Sequence, residues 1–265
     1  AGDPKGKPVI LLHGFPEFWY GWRMQIQPLV DAGFYVWIPD QRGYNLTDKP
    51  QDLSDYKIDE LVLDVVGLLR ATGHEKVNIV GHDWGAMVAW WLALLHSEYI
   101  QKLVIMNVPH PKIFDQTLRR DPRQMVKSLY AGFFQLPFLP ETLFNALNSG
   151  IMLRYLRFNS RKGSFSDEDL KKYQEAWSQK GALTAMLNWY RAYVRHAPTL
   201  PDDWRIKPPT LMIWGKHDTY LSHRMAQPSI EQCDDGRLEI LNDATHWVQH
   251  DQPDTVNRLL VEFLG

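Results

Sequence analysis

The sequence predicts an α/β fold, a mostly parallel sheet with helices on both faces and an inserted helical cap. Three observations predict it. Short apolar, β-branched runs alternate with amphipathic stretches between Val9 and Met106, the pattern of buried parallel strands joined by helical crossovers. From about Pro109 to Leu200 no convincing strand occurs, and helical segments rich in aromatic residues fill the interval. Strand-like runs then return at Thr210 and Leu238. At 265 residues the chain is long enough for one large core carrying such an insertion. The expected division is a core from residues 1–108, a cap from 109–200 and the rest of the core from 201–265.

The elements follow in order. Val9-Ile10-Leu11-Leu12 reads as a buried strand, and Phe18 to Val30 shows helical spacing. Phe34 to Ile38 is a second strand, followed by a polar loop from Asp40 to Lys57 and a helix from Ile58 to Leu69. Val77 to Val80 is the third strand and Leu103 to Met106 the fourth, with an apolar helix between them. In the insertion the helical stretches are Met125 to Phe134, Glu141 to Leu147, Asp167 to Lys180 and Ala182 to Val194. Thr210 to Trp214 and Leu238 to Leu241 complete the strands, and Thr255 to Leu264 closes the chain as a helix.

Composition narrows the function classes. A net charge of −2 argues against nucleic acid or an anionic membrane as partner. The basic cluster from Arg154 to Lys162 is followed by Asp167, Glu168 and Asp169 and reads as solvated surface. Cys233 is the only cysteine, so there is neither a disulfide framework nor a cysteine metal site. No apolar run reaches transmembrane length, and the visible start carries no leader pattern, which fits a cytoplasmic protein. Eleven each of Trp, Tyr and Phe suggest an aromatic-lined apolar cavity.

The chemistry concentrates at Gly81-His82-Asp83-Trp84-Gly85, between a strand and an apolar helix. Strand, tight turn and helix with small residues two before and two after the centre form a nucleophile elbow. Its central residue is usually Ser and here is Asp83. A carboxylate is already ionised at neutral pH and needs no base to activate it. It can attack a saturated carbon and form an alkyl-enzyme ester. The competing reading is a helix N-cap, a position Asp also favours.

Ligands of open parallel sheets bind beyond the carboxyl ends of the strands. The first strand leads into His13-Gly14-Phe15-Pro16, where Gly14 permits close approach and Pro16 stiffens the turn, a cis bond being one way. This loop can aim the Phe15 N–H at an oxyanion, with the Trp84 N–H as the second donor. The late strands lead into Gly215-Lys216-His217-Asp218 and Asn242-Asp243-Ala244-Thr245-His246-Trp247. Chain order is therefore nucleophile Asp83, acid Asp218 and histidine His246. His246 would deprotonate the water that attacks the ester, with Asp218 fixing its tautomer. Asn107, after the fourth strand, cannot be the anionic acid. His246 and His250 share helical i, i+4 spacing, but no His-Glu-x-x-His is present and no metal is expected.

On these motifs, with His13-Gly14-Phe15-Pro16-Glu17 and Asp40-Gln41-Arg42-Gly43-Tyr44, the chain resembles the epoxide hydrolases of the α/β-hydrolase superfamily over essentially its whole length. The resemblance implies a cofactor-independent enzyme, monomeric or dimeric, that adds water to a small apolar epoxide. It also implies two cap tyrosines that polarise the epoxide oxygen. The matching segments, Tyr130-Ala131-Gly132-Phe133-Phe134-Gln135 and Asn188-Trp189-Tyr190-Arg191, assign them to Tyr130 and Tyr190. Trp84, Phe134, Trp189 and Trp247 are expected to line the substrate site. The alternatives are a haloalkane or haloacetate dehalogenase using the same Asp, and a noncatalytic receptor or scaffold on this fold. Phe15 replaces the Asn many haloalkane dehalogenases carry after His-Gly, and Trp84 the Arg of haloacetate dehalogenases. In relatives an antiparallel strand pair precedes the first strand; here only Ala1 to Pro8 do. Phe34 to Ile38 is then expected to lie at an edge, and upstream residues are expected to pair with it and leave an anchor or signal open.

Overall fold

The computed structural model describes residues 1–146 and 149–265. Leu147, the expected end of a helix from Glu141, lies outside the described residues. Among the described residues six parallel strands form one sheet in the order β2-β1-β3-β4-β5-β6. They are β1 (Lys7–Leu12), β2 (Phe34–Trp37), β3 (Val77–His82), β4 (Ile100–Met106), β5 (Thr210–Gly215) and β6 (Gly236–Leu241). From β1 the chain passes to β2 on one side and then to β3 on the other. This reversal opens a crevice beyond the carboxyl ends of β1 and β3, where parallel sheets bind ligands.

The strands are joined by α1 (Arg23–Asp31), α2 (Ile58–Thr72) and α3 (Trp84–Leu95). Between β4 and β5 come α4 (Pro111–Arg120), α5 (Pro122–Lys127), α6 (Leu129–Phe133), α7 (Leu139–Asn145), α8 (Gly150–Asn159), α9 (Asp167–Trp177) and α10 (Ala182–Arg195). Then follow α11 (Ala226–Ile230), α12 (Val248–Asp251) and α13 (Pro253–Leu264). None of the described helices is long and apolar enough to cross a membrane.

Strand side chains alternate between two cores, as a pleated strand requires. Val9, Leu11, Val80, Val104 and Leu211 meet α1 and α13 through Leu29, Val256 and Leu260. Ile10, Leu12, Ile79, Leu103 and Met212 meet α2 and α3 through Leu61, Val65 and Trp90, in a core that also takes Leu156, Tyr173 and Leu187 from the inserted helices. α3 is buried continuously from Trp84 to Ala93, which explains its apolar character all round.

α4 and α8 arise where the sequence reading has no helix. α8 buries only Met152 and Leu156, too thin a stripe to stand out beside Arg154 and Arg157. The basic cluster lies on the exposed part of this helix and the loop after it, where Arg157 pairs with Asp167. β2 is the sheet's edge next to β1. Beyond it, Ala1 and Val36 exchange two main-chain hydrogen bonds, each 2.8 Å.

The turn from β3 to α3 depends on small residues. Asp83 has φ 51° and ψ −124°. A Cβ on Gly81 would lie 2.5 Å from the Gly85 carbonyl oxygen, and one on Gly85 would lie 2.1 Å from that of Leu12. Both obstacles are backbone, which cannot step aside. Gly85→Ala should therefore cost about 3 kcal/mol, whereas Gly67→Ala should stabilise the protein by roughly 0.5–1 kcal/mol. Gly67 lies inside α2, and a Cβ there meets nothing within 4 Å. Urea denaturation of the two variants checks the contrast.

Candidate active site

Asp83 does not cap α3 with its side chain, so the N-cap reading of the motif does not hold. Its carboxylate turns to the loop after β1, where the Phe15 N–H donates to Oδ1 at 2.7 Å. Gly14 makes this possible, since a Cβ there would sit 2.3 Å from Asp83 Cβ. The Phe15–Pro16 bond is cis. The Trp84 N–H, the first of α3, has no intrahelical partner and makes no hydrogen bond to the carboxylate among the described residues.

The other oxygen, Oδ2, lies 3.2 Å from His246 Nε2. The imidazole is gripped from behind, with Nδ1 2.7 Å from Asp218 Oδ2. Asp218 is itself fixed: the Tyr220 and Leu221 N–H groups donate to Oδ1, each at 2.8 Å. Asn107 donates its amide to Oδ2 at 2.8 Å. Asn107 has no charge with which to be the acid, but its amide N–H is a donor that the acid uses. The Gly215 N–H donates to the Asn107 oxygen at 3.3 Å and so fixes which way the amide points.

Electrostatics make this a charged pair in the resting protein. Burial opposes a charge on His246, but the Asp218 carboxylate and the hydrogen bonds to Asp218 and Asp83 hold its proton up to about 10. Burial likewise pushes the Asp83 carboxyl up, and the His246 hydrogen bond and charge, with the Phe15 N–H, outweigh it and hold the group below its ordinary value. At neutral pH an imidazolium therefore lies between two carboxylates.

A second buried assembly supports the histidine loop. His82 Nε2 donates to the His246 carbonyl at 2.8 Å, and its Nδ1 lies 3.1 Å from Glu17 Oε2. Glu17 also accepts from Tyr173 at 2.7 Å, His250 Nε2 at 2.6 Å and Gln249 at 3.0 Å. Burial pushes the Glu17 carboxyl up, but the His250 and His82 contacts hold it well below the carboxylate range. The i, i+4 relation of His246 and His250 thus serves three carboxylates, Asp83 and Asp218 on one side and Glu17 on the other. The sequence reading missed the roles of Glu17 and Gln249; their only signal was neighbourhood to the motifs.

Tyr130 on α6 and Tyr190 on α10 face each other with ring centroids 6.0 Å apart. Arg191 ties their segments together: it donates to the Phe134 and Leu136 carbonyls at 2.9 and 2.8 Å and pairs with Glu141 at 2.7 Å. Gln135 adds a bond to the Tyr190 carbonyl at 3.0 Å. Burial and the nearby Asp83 charge push both phenols up, with Tyr130 adding to the effect on Tyr190, so both are neutral donors. Asp83, Tyr130 and Tyr190 together border two cavities. One, of about 270 Å³, is walled by Phe15, Phe134, Trp247 and His246. The other, of about 530 Å³, is walled by Trp84, Met87 and Phe114. Trp189 does not reach either wall, contrary to expectation. It neighbours Tyr190 on one helix, so its side chain leaves about 100° away. It is buried against Tyr44 and Trp84, and its indole donates to the Arg42 carbonyl at 2.9 Å.

A carboxylate at a strand-to-helix elbow, backed by a paired imidazole and facing an apolar cleft, is the arrangement of an α/β-hydrolase site. The alpha/beta hydrolase fold family matches residues 7–253. Epoxide hydrolase 4 of Homo sapiens is 40% identical over 273 residues, covering 100% of this chain and 74% of that protein. AB hydrolase superfamily protein YfhM of Bacillus subtilis (strain 168) is 44% identical over 264 residues, covering 100% and 92%. The crystal structure of Bacillus megaterium epoxide hydrolase in complex with an inhibitor superimposes with a TM-score of 0.90 at 30% identity, covering 99% of this chain and 94% of that one. The chain belongs to the α/β-hydrolase family, in its epoxide hydrolase branch.

The charge on His246 should depend on both carboxylates. In Asp83→Asn the loss of one negative neighbour should lower the imidazole pKa from about 10. ¹⁵N NMR of the ring nitrogens across pH 6–11 measures it.

Proposed function

We propose that this enzyme converts an epoxide and water to a vicinal diol through a covalent ester on Asp83. The observation that carries the reading is the shared border of the two cavities, where a carboxylate meets two neutral phenols. Nucleophile and proton donors border the same space, where an epoxide would sit. A halide leaves without a proton and has no need of this arrangement. In this reading residues 109–200 form the lid that brings the phenols, over a core of 1–108 and 201–265.

The steps follow from the geometry. Oδ1 already lies against the Phe15 N–H, which leaves Oδ2 to attack an epoxide carbon. The carbon–oxygen bond breaks, and the departing oxygen takes a proton from Tyr130 or Tyr190, so no strongly basic alkoxide is expelled. The product is a hydroxyalkyl ester of Asp83. Esterification removes the negative charge that helped hold the His246 proton. The imidazole can then lose that proton, which returns to the tyrosinate through solvent. Neutral His246, oriented by Asp218, deprotonates a water that attacks the ester carbon. The oxyanion forms at Oδ1, held by the Phe15 N–H and, as the intermediate turns tetrahedral, by the Trp84 N–H. Collapse releases the diol and restores the carboxylate. Trp84, Phe134 and Trp247 bind the apolar remainder of the substrate.

Asp83→Asn should abolish turnover of styrene oxide without unfolding the protein. His246→Gln should still be alkylated and should accumulate an adduct, visible as a mass increase of one substrate on the intact protein. Steady turnover by His246→Gln without an adduct would contradict the scheme. Tyr130→Phe and Tyr190→Phe should each slow ring opening by about 10²-fold, as for loss of a general acid. If both open styrene oxide at the parent rate, the phenols have another role.

A further inference from the structure

The whole-chain charge of −2 conceals a division. Residues 109–200, which carry α4 to α10, hold fourteen Lys and Arg against seven Asp and Glu, and the remainder holds fifteen against twenty-four. Most of the acids in this stretch are already engaged. Asp115 pairs with Arg119, Glu141 with Arg191, Asp167 with Arg157 and Asp169 with Arg23. The Asp121 carboxylate accepts the Arg123 N–H at the start of α5. Arg120, Arg123 and Arg154 are exposed and form no ion pair among the described residues.

Apolar side chains stand out from the same helices. Phe138 is 81% exposed, Leu129 67% and Val126 66%. Met125, Leu129 and Val194 are exposed yet line the larger cavity, so they mark where it opens to solvent. Leu143 marks the mouth of the smaller cavity in the same way. Gln135 borders both the larger cavity and a surface groove of about 460 Å³ that Phe138 and Arg195 line. Arg123 stands two residues before Met125, and Arg195 directly follows Val194, so cations and apolar groups interleave around the opening. Phe138 has φ 62° and ψ −31°, a backbone conformation that a bulky residue rarely adopts. Its ring is given to solvent, so core packing does not offset that strain, and strain of this kind gathers at functional surfaces.

We propose that this face of α4 to α7 docks peripherally on an anionic phospholipid bilayer, with Val126, Leu129 and Phe138 entering the acyl boundary and Arg120 and Arg123 meeting the headgroups. Exposed apolar groups set among unpaired cations bind such an interface through both contributions at once. A rigid protein partner seated here would close the cavity mouths. A fluid bilayer leaves them open to the apolar compounds dissolved in it. The proposal goes beyond the reaction assigned to Asp83 and does not depend on it.

The test is co-sedimentation of the full chain with vesicles of phosphatidylcholine alone and of phosphatidylcholine mixed with phosphatidylglycerol, at low and high salt. The chain should partition onto the mixed vesicles at low salt, less at high salt, and least onto the neutral ones. Phe138→Ser should weaken that partition by about tenfold, as for one apolar side chain withdrawn from burial. Arg120→Gln and Arg123→Gln should each weaken it by about fivefold. All three side chains are exposed and lie outside the reacting groups, so circular dichroism and styrene oxide turnover in buffer should not change. No partition onto the mixed vesicles, or partition that these substitutions leave unchanged, would overturn the assignment. Self-association without vesicles that Phe138→Ser abolishes would give the surface to a second copy of the chain and overturn it equally. Binding is read without any epoxide, so a failure here leaves the reading of the reaction intact, and a failure of that reading leaves this result intact.

Discussion

Asp83 holds a backbone conformation that an L-residue rarely adopts, φ 51° and ψ −124°, and the site is arranged around it. Such a conformation costs about 1–3 kcal/mol and persists only where the surroundings impose it. Here Gly81 and Gly85 let β3 and α3 meet with no Cβ between them, and Gly14 lets the β1 loop close over the carboxylate. The strain lifts Asp83 above the sheet, at the crevice between β1 and β3. A larger residue at Gly81, Gly85 or Gly14 would push Asp83 away from the Phe15 N–H or open the turn.

The electrostatics of the resting protein are a consequence of that placement. Asp83 Oδ2 comes within 3.2 Å of His246, and two carboxylates keep the imidazole charged. The same charge that keeps Asp83 ionised would prevent His246 from acting as a base. Alkylation of Asp83 removes one of the two charges, so in the proposed cycle the first step prepares the base for the second. Asn107 and the Tyr220 and Leu221 N–H groups hold Asp218 against the imidazole. The Glu17 assembly fixes the His246 main chain through His82. A buried ionised carboxylate such as Glu17 is tolerable only because four side chains donate to it or approach it closely.

The sheet was legible because fully buried parallel strands read as unbroken β-branched runs, as in Val9 to Leu12 and Val77 to Val80. The elbow was legible because local sterics demand its glycines. α8 was not, since it buries only two side chains and its charges mask them. Trp189 was misplaced because flanking sequence locates a helix but not its rotation, and one position moves a side chain to another face. Glu17, His82, Gln249 and His250 are brought together only by the fold. The part Asn107 plays was not legible, because a neutral amide donor carries no charge to mark it.

The account's central claim is that water attacks the ester on Asp83 and never the epoxide. A single turnover of styrene oxide by excess enzyme in H₂¹⁸O separates the two routes, because each delivers the solvent oxygen to a different molecule. The account predicts an unlabelled diol from the first turnover and one ¹⁸O in the peptide containing Asp83, read by mass spectrometry after digestion. A diol carrying ¹⁸O in the first turnover, with an unlabelled Asp83 peptide, would contradict it.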